Sequence, residues 1–371
     1  MKVARYNYAH QLGDVEPLMA DLRDMLVGGR YELTAEVKQF EAQLAQYLGA
    51  SHVRGVNTGT DALVMAFRAL GVGPGDEVIT QANTFHATVG AITLVGATPV
   101  LVDADPHTFL IDRSQIPGAI TERTRVLVPV HLYGKPTPMA EMLALAESRG
   151  LLVVEDAAQA IGARIEGKVV STFGHFGCFS FHPSKNLSAA GDGGAVVARN
   201  AQLDEALRRQ RELVQVGQNN HLVVGLNSKL DALQARILSW KLPHLEPWNA
   251  HRRKSAALYR ERLQDLPLQF QAETEGETHV YHLFQLRTSR RDALLAHLRE
   301  NDIDAVVRYP TPIHRQPAFA HRGWKEGQFP VAERLAQELL CLPIRPDIGI
   351  DEIDFVSDCV RSFFGKTGLA A

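Results

Sequence analysis

Lys185 has the residue type and the surroundings for covalent chemistry. It stands in the stretch Cys178 to Gly194, CFSFHPSKNLSAAGDGG, where an aromatic strand ends at His182-Pro183 and yields to a Gly-rich loop of small residues. An amine placed there is partly desolvated, which lowers its pKa and frees the lone pair to form an imine with an aldehyde. A solvated surface lysine is the competing reading. Asp156, 29 residues earlier, follows the apolar run Leu151 to Val154. It would lie at the carboxyl edge of an open α/β sheet, where ligands collect. A carboxylate there either stabilises a protonated ring nitrogen or caps the Ala-rich segment behind it. Gln159 is one turn on, in reach of a ring substituent.

Asn57-Thr58-Gly59-Thr60 lies between a strand and an amphipathic helix. Its free amides can hold an anion, or one of its threonines simply caps the helix. Phe85, in Asn83-Thr84-Phe85-His86, is placed either to stack on a flat ring or to fill the core. Together these groups describe one ligand, with a phosphate at Gly59 and Thr60 helped by Ser180, a ring nitrogen at Asp156 and an aldehyde at Lys185. Pyridoxal 5′-phosphate has all three features.

Competing motifs are weaker. Gly162 to Lys168, GARIEGK, satisfies most of a phosphate loop, but Val169 stands where a hydroxyl should reach magnesium. A hairpin turning at Glu166-Gly167 explains the segment better. There is no G-x-G-x-x-G after a strand, no G-x-S-x-G, no H-E-x-x-H and no other metal-ligand spacing.

These residues need a scaffold, and the chain offers one. Short β-branched runs at Val53 to Val56, Glu77 to Thr80, Pro99 to Val102, Arg125 to Val130, Leu151 to Val154, Gly177 to Phe181 and Ala195 to Ala198 alternate with helical patterns. Apolar residues on both faces of most runs predict an α/β fold with a largely parallel sheet covered by helices. Asp61 to Leu70 predicts one such helix, with Leu63, Ala66, Phe67 and Leu70 on one face and Gly71 as its stop. From Leu203 the pattern turns helical, and Leu230 to Tyr259 predicts a long helix interrupted near Pro243 and Pro247. That interruption divides the chain into a larger domain, residues 1–240, and a smaller α/β domain, residues 241–371. In the smaller domain the pattern predicts a strand over His279 to Thr288 and helices over Arg291 to Glu300, Val331 to Leu340 and Glu352 to Phe363.

Composition removes whole classes of function. With 371 residues, 45% hydrophobic and 22% charged, the chain is ordinary globular protein. A formal charge of -3 gives no bulk field for nucleic acid. The longest apolar-leaning stretch, Val89 to Val102, is broken by Gly, Thr and Pro, so no membrane span is predicted. Three widely spaced cysteines and an N-terminus without an apolar run predict a cytoplasmic, reducing setting.

Read in order, the residues resemble the DegT/StrS group of pyridoxal-phosphate-dependent sugar aminotransferases of fold-type I. The likeness runs from Gly29-Arg30-Tyr31 through NTGTDAL, GPGDEVI, ATPVLVD, VPVHLYG, VEDAAQA, FSFHPSKN, GDGGAVV, GLNSKLDALQA, VYHLF and RYPTPIH to CLPI. The resemblance implies a mostly parallel seven-stranded sheet in the large domain. It also implies that Lys185 carries the cofactor and acts as base, Asp156 holds the ring nitrogen, Gln159 approaches the ring hydroxyl and Phe85 stacks. Gly59, Thr60 and Ser180 match phosphate positions. Asn227 matches an asparagine sent across a homodimer to the neighbouring phosphate, so the two active sites would be shared. His131, Tyr133, His182, Arg308, Tyr309 and His314 match substrate-facing segments. Arg308 stands where the group usually has histidine, and Gly217 to Gly225 is shorter than usual. The implied reaction takes an amino group from glutamate to a dTDP- or UDP-linked ketosugar, the cofactor alternating between its pyridoxal and pyridoxamine forms. A cyclitol or other cyclic ketone as acceptor, and a non-catalytic cofactor-bound regulator, are the alternatives.

Overall fold

The computed structural model describes residues 1–213, 219–221 and 224–365. In chain order the first strands are β1 (His52–Val56), β2 (Glu77–Gln81), β3 (Thr98–Val102), β4 (Thr124–Leu127) and β5 (Leu152–Asp156). A hairpin of β6 (Arg164–Ile165) and β7 (Lys168–Val169) follows, then β8 (Phe176–Ser180) and β9 (Gly194–Ala198). Seven of these form one sheet in the order β1-β9-β8-β5-β4-β2-β3. Only β9 runs against the rest. Each of the seven apolar runs read from the sequence is one of these strands, shifted by up to three residues at the ends.

The topology decides where chemistry can occur. Because β2, β3, β4, β5 and β8 are parallel, their carboxyl ends share one edge, and Asp156 and Ser180 lie on it. β9 enters the sheet at that same edge, with Gly194 paired to both Val56 and Ser180. This register sets the start of the helix Gly59–Ala69 beside Ser180. Leu63, Ala66 and Phe67 of that helix bury against Val126, Val154, Cys178 and Val196 of the sheet. The chain then leaves the helix at Gly71, whose φ of +71° costs a glycine little.

The segment Arg164 to Val169 is the hairpin the alternation predicts. Glu166 and Gly167 turn it with φ of +47° and +76°, the signs of a type I′ turn, and no phosphate loop forms. The predicted long helix is broken at Pro243: Ala232–Lys241 ends, Leu242–His244 makes one 3-10 turn and Leu245–Leu263 resumes. Pro247 falls within the first turn of the second helix, where its missing N–H has no partner to lose.

The later part of the chain adds β10 (Gln269–Phe270), β11 (Glu277–Thr278), β12 (Phe284–Arg287) and β13 (Leu339–Leu342). β10, β12 and β13 form a small antiparallel sheet, while β11 joins the β6–β7 hairpin. Two expectations change here. The strand predicted from His279 is confined to Phe284–Arg287, because Tyr281 adopts φ of +43° and stacks on His279 at 3.9 Å. The helix predicted to Leu340 stops at Glu338, and Leu339 pairs with Arg287 instead. Arg291–Glu300 and Ile350–Gly365 are helical.

The boundary at residue 241 is not a clean cut. Leu242 and Leu245 belong to the core against the large sheet, while Ala256, Tyr259 and Leu263 of the same continuing helix belong to the other core. Val3 also packs in that second core, so the first residues join the smaller unit rather than residues 1–240. Among the described residues no helix is long and apolar enough to cross a membrane, and no cluster of side chains could hold a metal.

Candidate active site

The carboxyl edge of the sheet opens into a cavity of about 460 Å³ between the two cores. Asp156 closes β5 on its wall and is 5% exposed. Its carboxylate accepts from Thr88 Oγ1 at 2.8 Å and from the Ala158 amide at 3.1 Å. No helix follows β5, so helix capping does not explain the residue. Burial pushes the Asp156 carboxyl upward, and the bonds from Thr88 and Ala158 together with the Lys185 charge pull against it. A cation beside it would restore the charged form.

Lys185 lines the same cavity from the loop joining β8 to β9, which turns where its backbone N–H donates to His182 O at 2.8 Å. Its Nζ has no hydrogen-bond or ion-pair partner among the described residues. Burial pushes its amine down to about 8 from the usual 10.5, with Asp156 acting against the fall and Arg308 adding to it. His282, also in the lining, is held well below the usual imidazole range by burial and by Lys185, so it stays neutral.

A cup for an oxyanion forms where Gly59, Thr60 and Ser180 meet on the cavity wall. Thr58 does cap the helix, accepting from the Asp61 amide at 2.9 Å, yet the Gly59 and Thr60 amides open the first turn, where no carbonyl of the helix reaches them. A Cβ on Gly59 would sit 2.6 Å from Ser180 Cβ, and one on Gly194 would sit 2.5 Å from the Thr58 carbonyl oxygen. The cup therefore exists only with glycine at both positions.

Phe85 faces the cavity and packs at 5.3 Å on Tyr309. Gln159 accepts from the Tyr133 amide at 2.6 Å and donates to the Tyr309 hydroxyl at 2.8 Å, which ties both cores together across the site. His182, Arg308 and Tyr309 are in the lining. The Arg308 guanidinium has no acidic partner among the described residues.

Three residues matched to substrate-facing segments sit elsewhere. His131 is fully buried, its Nδ1 accepting from the Thr137 amide and its Nε2 3.1 Å from Glu155, so it packs behind the sheet edge. Tyr133 is buried and its hydroxyl donates to the Arg308 carbonyl at 2.8 Å. His314 is buried, 2.7 Å from Glu333 and tilted against the Phe329 ring, away from the cavity. Asn227 is exposed and outside the cavity of its own chain. Of the segment Gly217 to Gly225, residues 217, 218, 222 and 223 lie outside the described residues. The residue reading missed Thr88, which stands one helical turn from Thr84 and bonds it at 2.8 Å, and also Tyr6, Asp192 and His282.

This set of groups fits pyridoxal 5′-phosphate. An unpartnered amine, a buried carboxylate in want of a cation and a glycine-walled oxyanion cup share one cavity, as the aldehyde, ring nitrogen and phosphate require.

Comparison with known proteins agrees. The model of the DegT/DnrJ/EryC1/StrS aminotransferase family matches residues 14–361. The chain belongs to that family. It is 43% identical to UDP-N-acetyl-3-dehydro-alpha-D-glucosamine 3-aminotransferase of Acidithiobacillus ferrooxidans, covering 96% of this chain and 98% of the relative. It is also 43% identical to dTDP-3-amino-3,4,6-trideoxy-alpha-D-glucose transaminase of Streptomyces venezuelae, covering 95% and 93%. The crystal structure of S. venezuelae DesV with a ketimine intermediate superposes with a TM-score of 0.94 at 41% identity, over 98% of both chains.

In this aminotransferase the depressed Lys185 amine has a visible consequence. Only the neutral amine attacks an aldehyde, so reloading of the apoprotein with pyridoxal 5′-phosphate is expected to accelerate as pH rises to about 8 and then level off. Stopped-flow absorbance across the pH range measures it. A rate still climbing near the usual lysine value of 10.5 would show a solvated amine instead.

Proposed function

We propose that this aminotransferase moves an amino group from glutamate to a nucleotide-linked ketosugar. The observation that carries the reading is the free Lys185 amine in a cavity that also holds Asp156 and the Gly59-Thr60-Ser180 cup. Pyridoxal 5′-phosphate, when bound, supplies an aldehyde that accepts the amino group and a ring that draws off the electrons released at the α-carbon. Asp156 keeps the ring nitrogen protonated, and the cup holds the phosphate. Lys185 takes the α-proton at Nζ and returns it on the other side of the transfer. Gln159 and Phe85, both in the cavity lining, would help to hold the ring.

On the acceptor side, Arg308 offers a guanidinium fork with no internal partner, which suits the oxygens of a diphosphate. Both relatives named above are 3-aminosugar enzymes by name, so a UDP- or dTDP-linked 3-ketosugar is the acceptor to test first. Asn227, exposed on its own chain, would complete the phosphate site of a second copy. Leu26, Val27 and Tyr31, large apolar side chains at the end of the helix Glu16–Val27 and just beyond it, are exposed and support a homodimer. A sedimenting monomer would remove this part of the reading. Three buried free cysteines fit a reducing, cytoplasmic setting.

The test is spectroscopic. Glutamate should convert the visible band of the holoprotein to that of the pyridoxamine form, and a nucleotide-linked 3-ketosugar should bring it back. A band that no amino donor moves would mark a cofactor-bound protein without catalysis. A pyridoxamine form that only cyclitol ketones reoxidise would move the acceptor to that class.

A further inference from the structure

The N-terminal residues form a strap that crosses the site. Val3 is fully buried in the smaller core, where its N–H donates to Asp302 O at 3.0 Å and its carbonyl accepts from the Asp304 amide at 2.9 Å. Arg345 donates to the Ala4 carbonyl at 2.8 Å, and Arg5 pairs with Asp304 at 2.9 Å. Beyond this anchor Asn7 donates to Asp347 and caps the helix Tyr8–Leu12. That helix ends on the large core: Trp240 donates to the Leu12 carbonyl at 3.0 Å, and Ser188, in the Lys185 loop, donates to Gln11 at 3.3 Å. The strap is therefore fixed on the smaller core at one end and on the loop of the reactive lysine at the other.

Tyr6 lies between the two anchors and lines the cavity with Lys185 and Arg308. Its ring is held in place, stacked on Tyr8 at 5.6 Å with 7° between planes and lying 5.4 Å from the Arg5 guanidinium carbon. Packing accounts for the ring. It does not account for the hydroxyl, which bonds to no described residue. The groups that serve the ring nitrogen and phosphate come from the large sheet edge, whereas Tyr6 and Arg308 reach the cavity from the smaller core.

We propose that Tyr6 is a substrate-contacting residue of the acceptor half of the site, its hydroxyl hydrogen-bonding an oxygen of the nucleotide-linked sugar. This deepens the function proposed above and rests on it. A phenol suits the task because it donates as well as accepts, so it can answer a phosphate oxygen or a sugar hydroxyl. The strap's double anchoring orders the ring before the ligand arrives, which spares the bond the cost of immobilising a side chain.

Binding to the holoprotein separates the possibilities. UDP-N-acetylglucosamine and dTDP-glucose carry the nucleotide sugar without the ketone, so calorimetric titration reads affinity without turnover. Tyr6→Phe, which keeps the ring and its stacking, is expected to weaken whichever of the two binds by about threefold to tenfold, the worth of one neutral hydrogen bond. Tyr6→Ala should weaken it further, and for both variants any loss in the rate of band conversion by glutamate should be smaller than the loss of nucleotide-sugar binding. If the native protein binds a nucleotide sugar and Tyr6→Phe binds it equally well, the hydroxyl is idle and the proposal falls while the acceptor reading stands. An equal loss in the glutamate step would also overturn it, because the strap would then serve the lysine loop. If neither nucleotide sugar binds the native protein, the acceptor reading itself fails and this proposal goes with it.

Discussion

Lys185→Ala is expected to abolish amino transfer, with a loss on the order of 10⁴-fold or more. On the proposed function two roles would vanish with one amine: the nitrogen that anchors the cofactor and the base that moves the α-proton. Among the described residues no second lysine lines the cavity, and Lys241, the other amine that burial pushes down to about 8, is committed to the Ser188 carbonyl and hydroxyl. The fold should persist, because the Lys185 side chain makes no bond that packing depends on. Steady-state assay with glutamate and a ketosugar, beside a thermal melt, checks both halves. Residual turnover near the native rate in a folded variant would refute the assignment.

Asp156→Asn is expected to slow the glutamate half-reaction by about ten to one hundredfold, the equivalent of about 1.5–3 kcal/mol for a hydrogen bond to a charged group. An asparagine amide can still accept from the Ala158 N–H and donate to the Thr88 hydroxyl oxygen, so the wall of the cavity survives. What disappears is the negative charge. Without it nothing on that wall favours a protonated ring, and the ring draws electrons less well. Single-turnover absorbance on mixing with glutamate reads the step directly. An unaltered rate would mean that the carboxylate is a structural turn residue.

Much of this site was legible because its chemistry comes from residues at strand ends. Asp156, Ser180 and the Gly59-Thr60 turn follow apolar runs, and a parallel sheet delivers all such ends to one edge. Arg308 and Tyr309 line the cavity although far from Lys185 in the chain, and it was the resemblance, with no local pattern, that pointed to them. His131, Tyr133 and His314 show the limit of that transfer. A histidine beside a strand end reads alike whether it turns toward the cavity or is buried against Glu155, and only tertiary contacts decide. Leu339 and Leu340 continue a helical pattern, yet pairing with β12 outweighs it. Tyr6 gave no signal at all, since its place depends on Val3 docking beside Ile303, some 300 residues away in the chain.

The most direct test fixes the cofactor where it sits. Holoprotein reduced with borohydride, then digested and mapped by mass spectrometry, is predicted to carry the pyridoxyl mass on the peptide containing Lys185 and on no other. The label on a different lysine, or none at all after saturating pyridoxal 5′-phosphate, would contradict the account at its centre.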